Sequence, residues 1–312
     1  MNIAETDRKT VSGVIFSFLS AFLWATVYVA VRWLMGGGKA KIDPVTLSLL
    51  RFSLGGAILF VFCVMKDPKA MFSFSRRDYL RIALLGQFSS TIMSVFLFWG
   101  QCYTSAINAS MIMAFSPVLT LLLSGILVER IGLIQWGGMA LSTFGCMMVL
   151  KVITPHGVEI TAFGIGDFLA FIAALSWAVA AIYAKRIVTT GNDMAVTAWS
   201  MLFASVSLLA VEICMGSARI LPSDGTTWGL VLYLAVFPTA FGFYAWNAAL
   251  SRISINIVTI MQYLTPIMTV LMAFFFLGEF LTPFKILGIA LVLGGIFLSG
   301  RIGKTLPAKS DS

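Results

Sequence analysis

One histidine, His156, stands in the whole chain, and the four cysteines, Cys63, Cys102, Cys146 and Cys214, lie inside apolar stretches at no motif spacing. A zinc site or a disulfide framework needs paired cysteine spacings or companion histidines. The cysteines are therefore read as packing residues, and no metal or cofactor is expected. Acids are scarce too: of thirteen, none occupies the centre of an apolar run. Asp167 and Glu212 lie near the ends of runs, Glu129 and Glu279 close two of them, and His156 falls in a linking segment. A membrane proton relay usually uses an intramembrane carboxylate or histidine, so a dedicated proton relay is not expected. Asp167 is the acid placed to reach a cavity mouth. HExxH, Walker and GxSxG signatures are absent, and the three glycines at 36–38 follow no strand, so they are a loop rather than a phosphate cradle. This pattern argues against an enzyme and against a nucleotide-driven pump.

What the chain does have is length without charge. Hydrophobic residues make up 59% and charged residues 11%, far from the composition of a soluble domain. Stretches longer than about 18 residues without a charge can cross a bilayer as helices. Ten apolar spans of about this length are read here, six of them carrying one charged residue each: 12–34, 44–65, 79–101, 104–128, 131–150, 163–184, 195–215, 228–249, 253–278 and 281–299. The first is not a cleavable signal, because its apolar core is too long and no small-residue cleavage site follows before the next span.

The net charge of +8 orients the chain rather than binding nucleic acid. With the N terminus inside, fourteen Lys and Arg fall in cytoplasmic segments and six on the opposite side, Arg51 being intramembrane. The positive-inside rule then puts both termini in the cytoplasm, and a bacterial inner membrane is the expected location.

The second half repeats the first. FLSAFLWA at 18–25 matches FIAALSWA at 171–178, so Trp24 corresponds to Trp177 at an offset of 153. SPVLTLLL from Ser116 matches TPIMTVLM from Thr265, setting Pro117 against Pro266. Gly138, Ala140 and Gly145 match Gly288, Ala290 and Gly295 at an offset of 150, and Trp99 matches Trp246. Five spans per repeat is an odd number, so the two repeats must be inverted relative to each other, as in many secondary transporters. The fold expected is all-α and polytopic: ten transmembrane helices in a 5+5 inverted-topology repeat around a central cavity. Residues 1–152 form the first repeat and 153–312 the second, within one integrated membrane domain.

Mid-span prolines and polar stripes mark where the cavity should be. Pro117, Pro238 and Pro266 each remove one backbone bond inside hydrocarbon, where an unpaired polar group costs several kcal/mol. The matched pair Pro117 and Pro266 is read as hinges, with the hydroxyls of Ser116 and Thr265 available to the freed carbonyls. Pro238 has no such mate and is balanced between hinge and tolerated kink. Ser90, Ser94, Phe98 and Gln101 recur at helical spacing, as do Asn256, Thr259, Tyr263 and Pro266, with Gln262 beside them. Such stripes face other helices or water rather than lipid. Inter-helix hydrogen bonding explains part of them. The aromatic residues on these faces, Trp24, Tyr28, Phe98, Trp99, Trp177, Tyr244, Trp246 and Tyr263, favour a cavity for the rest. Arg51 is the intramembrane cation; it either draws a carboxylate or merely bonds backbone carbonyls.

These residues resemble the drug/metabolite transporter superfamily, specifically its EamA-type ten-helix carriers. The resemblance rests on the Trp-Ala pairs, PVTLSLLRF at 44–52, NASMIMAFSPVLTLLLSGILVE at 108–129, and NAALSRISINIVTIMQYLTPIMTVLMAFFFLGE at 247–279. It implies an inverted five-plus-five fold with a cavity lined by spans 1, 3, 4, 6, 8 and 9. Arg51, Glu129 and Glu279 match recurring family positions, although ERI follows the pattern at Glu129 where Glu-Pro is more usual. Within the superfamily the chain is similar to bacterial exporters of amino acids, including aromatic ones. The expected activity is secondary export of a small metabolite by alternating access, by a monomer in the bilayer. A general drug or metabolite exporter is the alternative in transport, and a non-transporting receptor or scaffold the alternative of another class.

Overall fold

Short polar side chains placed just before the apolar runs fix where the helices begin. Asp43 accepts hydrogen bonds from the backbone of Val45 at 2.8 Å and Thr46 at 3.3 Å, with Pro44 opening the helix. Ser75 and Asp78 cap each other's backbone at the start of the next long helix. Asp224 accepts from the Thr227 backbone at 2.8 Å, and Ser254 from Asn256 at 3.1 Å. Each satisfies an amide that the first helical turn would otherwise leave open.

The structure is a computed structural model describing residues 3–35, 41–103, 109, 112–127, 132–149, 153–154, 157–158, 164–215, 222, 224–277 and 282–300. Its helices are α1 (Ile3–Met35), α2 (Pro44–Lys66), α3 (Pro68–Phe72), α4 (Arg76–Tyr103), α5 (Ser116–Leu127), α6 (Leu133–Val149) and α7 (Ile165–Ile187), followed by α8 (Asp193–Met215), α9 (Gly225–Leu250), α10 (Ile255–Met261), α11 (Leu264–Leu277) and α12 (Pro283–Gly300). Two-residue strands, Ile153–Thr154 and Gly157–Val158, pair antiparallel ahead of α7. Among the described residues six helices are long and apolar enough to cross a membrane: α2, α4, α7, α8, α9 and the Arg8–Val31 part of α1. They coincide with six of the expected spans. The expected span 253–278 is broken into α10 and α11, and part of span 104–128 lies outside the described residues.

Two long helices carry a widened π turn, which the periodicity of the sequence did not reveal. In α9 it covers Ala235–Phe241, where Pro238 lacks the amide that would bond the carbonyl of Leu234. In α4 it covers Gln87–Ile92 without a proline. There a serine from another helix intrudes, Ser176 donating to the Phe88 carbonyl at 2.7 Å, and the Ser94 hydroxyl bonds back to the Ser90 carbonyl. Side chains entering the ladder are a known cause of such distortion.

Packing pairs the helices reciprocally: α2 with α8, α6 with α12, α4 with α7, α1 with α9, α5 with α7, and α1 with α11. The C-terminal end of α7 lies beside the C-terminal end of α9, since Lys185 Nζ donates to the carbonyls of Leu250 at 2.9 Å and Ile253 at 2.8 Å. Ile253 in turn abuts Gly13 near the start of α1. Thus α1 and α7 run in opposite directions. At the opposite end, Thr46 at the start of α2 donates to Glu212 near the end of α8 at 2.8 Å. The main apolar core fills the space between, and includes Phe52, Leu85, Trp177, Met201, Phe243 and Trp246.

Candidate functional site

Both proline-bearing segments are interrupted immediately before their proline. Residues 262–263 form a turn between α10 and α11, and the Gln262 carbonyl that Pro266 cannot bond accepts instead from the Thr265 amide at 2.9 Å. Residues 114–115 form the corresponding turn ahead of α5, where the Phe115 amide reaches the Ile112 carbonyl at 3.0 Å. The hydroxyls do not serve as the sequence led us to expect. Thr265 Oγ1 is buried with no partner, and Ser116 Oγ makes no hydrogen bond among the described residues. The backbone repairs the break after Gln262 through a tighter turn, and Thr265 borders a void.

That void is a central cavity with about 130 Å³ open to the centres of water molecules. Its wall includes Ser116, Pro117, Thr265 and Pro266, so both helix breaks face it. Irregular backbone at membrane depth is tolerated where it is buried in protein or lines a cavity. From α1 come Trp24, Val27, Tyr28 and Val31, and from α4 come Ser94, Leu97, Phe98 and Gln101. Gln262 and Tyr263 stand at the α10–α11 break, Trp177 comes from α7 and Phe243 from α9. The long series along α1 and α4 places the cavity toward the end where α1 finishes and α2 begins.

An aromatic cluster forms the floor. The rings of Trp24 and Trp177 meet edge to face at 4.9 Å, and Phe243 lies 5.2 Å from the first and 5.8 Å from the second. Trp246 adds a fourth ring, 5.6 Å from Trp24 and 5.3 Å from Trp177. Perpendicular contacts of this kind set the electropositive edge of one ring against the face of another. The floor is tied to the π turn of α9: Trp24 Nε1 donates to the Pro238 carbonyl at 3.0 Å. A bond from Ser176 to Phe88 plays the same part for the π turn of α4. Below the floor, the ion pair of Arg252 with Asp193 at 2.8 Å and the two bonds from Lys185 join α7, α8 and the end of α9.

Arg51 lies on the cavity wall and is buried. Its Nε donates to Thr239 Oγ1 in the α9 π turn at 3.1 Å, and its guanidinium carbon lies 5.4 Å from the Phe98 ring centre and 5.9 Å from that of Phe52. Its other N–H groups have no hydrogen-bond partner among the described residues. Among the described residues no other charged residue lines the cavity.

Of the residues singled out from the sequence, the structure gathers Trp24, Tyr28, Arg51, Ser94, Phe98, Gln101, Trp177, Gln262, Tyr263, Pro117 and Pro266 around one cavity. Others stand elsewhere. Asn256 accepts from Ser124 at 3.0 Å, joining α10 to α5, and Thr259 is buried beneath. Tyr244 packs edge-on to Phe16 at 5.9 Å. Trp99 packs against the main core and, among the described residues, makes none of the ring contacts by which its match Trp246 joins the floor. Pro238 reaches the site only through its carbonyl. Asp167 is buried at the start of α7, where its Oδ2 accepts from the Gly164 amide at 2.9 Å. Sequence reasoning missed Phe52, Phe243 and Thr239. Phe52 and Phe243 lie in uniformly apolar runs, where nothing separates a cavity-facing phenylalanine from a lipid-facing one. Thr239 had a signal, a hydroxyl next to a mid-span proline.

The model of the EamA-like transporter family matches residues 11–151 and 164–301. Among curated proteins, the chain is 28% identical to a "Probable terminal-alkyne amino-acid exporter" of Streptantibioticus cattleyicolor, over 91% of this chain and 94% of that one. It is 22% identical to the "Uncharacterized transporter YyaM" of Bacillus subtilis, over 83% of this chain and 85% of that protein. A solved crystal structure superposes with a TM-score of 0.78 at 19% identity, covering 95% of this chain and 100% of the other, a likeness of fold.

Proposed function

The chain belongs to the EamA-like transporter family, a multi-pass membrane transporter by its apolar helices, and on that premise we propose that it exports neutral and aromatic amino acids by alternating access. The observation that carries this reading is the cavity walled by both helix breaks and floored by Trp24 and Trp177. Aromatic faces with a few amide and hydroxyl groups suit a small solute with an apolar body. The similarity to a protein named as an amino-acid exporter supports the choice of substrate.

Ten spans in an inverted five-plus-five arrangement account for the packing. Exchanging each helix for its repeat mate turns the α4–α7 contact into the α9–α1 contact and the α5–α7 contact into the α11–α1 contact, while α2–α8 and α6–α12 map onto themselves. The antiparallel directions of α1 and α7 support the inversion, and the separate family matches on either side of residue 152 support the division into two repeats. Trp99 and Trp246 occupy unequal places although they match in sequence, which fits a state sealed on one side only. With the N terminus in the cytoplasm of a bacterial cell, the Lys185–Asp193–Arg252 end is the cytoplasmic seal and the cavity faces outward.

The test is counterflow of labelled amino acids in proteoliposomes, against sugars and nucleosides. Amino acids, aromatic ones above all, are expected to exchange; exchange of another metabolite alone would refute the assignment. Pro117→Ala and Pro266→Ala are expected to insert normally and exchange several-fold more slowly, because a restored backbone bond stiffens each break. Unchanged exchange in the double variant would reduce both prolines to tolerated kinks. Orientation is checked in a cysteine-free background carrying Lys69→Cys: an impermeant thiol reagent should leave intact cells unlabelled, and labelling would reverse the topology.

A further inference from the structure

The guanidinium of Arg51 presents a problem of charge balance. Burying an ion costs several kcal/mol unless a counter-charge and hydrogen bonds compensate it. Arg51 has neither in full: among the described residues no carboxylate lies within 4 Å, its one side-chain bond uses Nε, and Phe98 and Phe52 offer only ring faces. The bond to Thr239 has a second effect. It fixes the plane of the fork from its Nε edge and leaves the terminal nitrogens for another partner. A guanidinium held in this way matches the two oxygens of a carboxylate. The other lining groups complete the selection. Gln101, Gln262 and the hydroxyls are neutral, and among the described residues no Asp or Glu lines the cavity to hold an ammonium.

We infer that Arg51 is the anion-binding residue of the transport site, that it takes the carboxylate of the substrate, and that the substrate class extends to apolar carboxylates lacking an amino group. The apolar body lies over the Trp24–Trp177 floor. This rests on the transporter reading above, and narrows it: the carboxylate is required, while the ammonium finds only aromatic faces and neutral dipoles. Thr239 is a positioning residue. It keeps the fork aimed into the cavity and links it to the same π turn whose Pro238 carbonyl holds Trp24.

The experiment measures binding to purified protein in detergent by equilibrium dialysis, with three probes of one carbon skeleton: phenylalanine, 3-phenylpropionate and 2-phenylethylamine. A charge-assisted hydrogen-bonded partner corresponds to roughly 10- to 100-fold in affinity. 3-Phenylpropionate is expected to bind at least as well as phenylalanine, and the amine at least tenfold more weakly. Arg51→Gln should erase that difference, Arg51→Lys should keep part of it, and Thr239→Val, which keeps the charge, should diminish it. If Arg51→Gln does not fold, the wild-type order and the Lys and Val variants still decide. Equal binding of acid and amine, failure of all three probes, or a preference that survives in Arg51→Gln would overturn the inference. The two readings fail separately: acid binding without amino-acid counterflow removes the amino-acid assignment and leaves Arg51 in place, and counterflow with an unchanged preference in the Gln variant does the reverse.

Discussion

Gly295→Leu is expected to abolish recovery of folded, monodisperse protein, while Gly294→Ala, one residue away, leaves it unchanged. Helices α6 and α12 cross where Gly145 and Gly295 leave no room for a side chain. A Cβ on Gly145 would stand 2.5 Å from the Gly288 carbonyl oxygen and 2.8 Å from the Val292 amide nitrogen. A Cβ on Gly295 would run into Ser142 Oγ and the Gly138 carbonyl. The obstacles include backbone atoms, so a rotamer change alone cannot relieve them; the helices must separate. Separation breaks the bond from Ser142 Oγ to the Val292 carbonyl at 3.2 Å and loosens the contact along both helices. Overpacking costs about 1–3 kcal/mol even where neighbours can yield, and a leucine against backbone lies beyond that range. Membrane helices associate through such close packing rather than through a hydrophobic force. At Gly294 the nearest atom to an added Cβ is Leu141 Cδ2 at 3.8 Å, an ordinary contact. Size-exclusion profiles of the two variants check this; a normal profile for Gly295→Leu would mean that the crossing is not close.

Asp193→Ala is expected to unseat the end of the molecule beneath the aromatic floor. Arg252 is held there by Asp193 at 2.8 Å, by the Ser251 hydroxyl at 3.0 Å and by the Ala248 carbonyl at 2.6 Å, with its guanidinium 4.9 Å from the centre of the Phe16 ring. The two side chains are 16% and 8% exposed, so removing the acid leaves a largely buried cation whose charge is no longer balanced. Breaking a buried pair costs about 3–5 kcal/mol, and the lower figure is apt because Arg252 keeps two other bonds. Asn247 reinforces the joint, donating to Thr197 at 2.8 Å. We expect a lower thermal midpoint in detergent and, by the proposed mechanism, a population shifted away from the state sealed at this end, with exchange slowed. The charge-reversed pair Asp193→Arg with Arg252→Asp should recover part of both. Loss of stability with wild-type exchange would make the pair a structural tie and nothing more.

Glycines at 138, 145, 288 and 295 were visible in the sequence as a repeat, yet their use was not. That they oppose one another across a single crossing follows from how α6 and α12 meet. The tryptophans behave alike: Trp24 and Trp177 were matched by sequence and meet at 4.9 Å, whereas the equally matched Trp99 and Trp246 are separated in role. A repeat specifies equivalent residues, but the packing around each member of a pair need not be the same. For Asn256 and Thr259, polarity at helical spacing pointed to a stripe, and only packing showed that Asn256 bonds another helix and Thr259 is buried, while the part at Gln262 and Tyr263 meets the cavity.

By itself the sequence determined that the chain is a helical membrane protein: so many apolar runs of this length, with so few charges, are far from a soluble composition, and the backbone in hydrocarbon must bond within itself. It also determined the repeat, the two proline interruptions and the rarity of charge at depth, since each is a property of residue order. The tertiary structure decided which faces meet. Whether a phenylalanine borders lipid or a cavity, which carbonyl in a π turn receives Trp24, and that Arg51 donates to Thr239, 188 positions away, depend on contacts between distant segments. An apolar run contains no record of those contacts, because every face of it satisfies the same hydropathy.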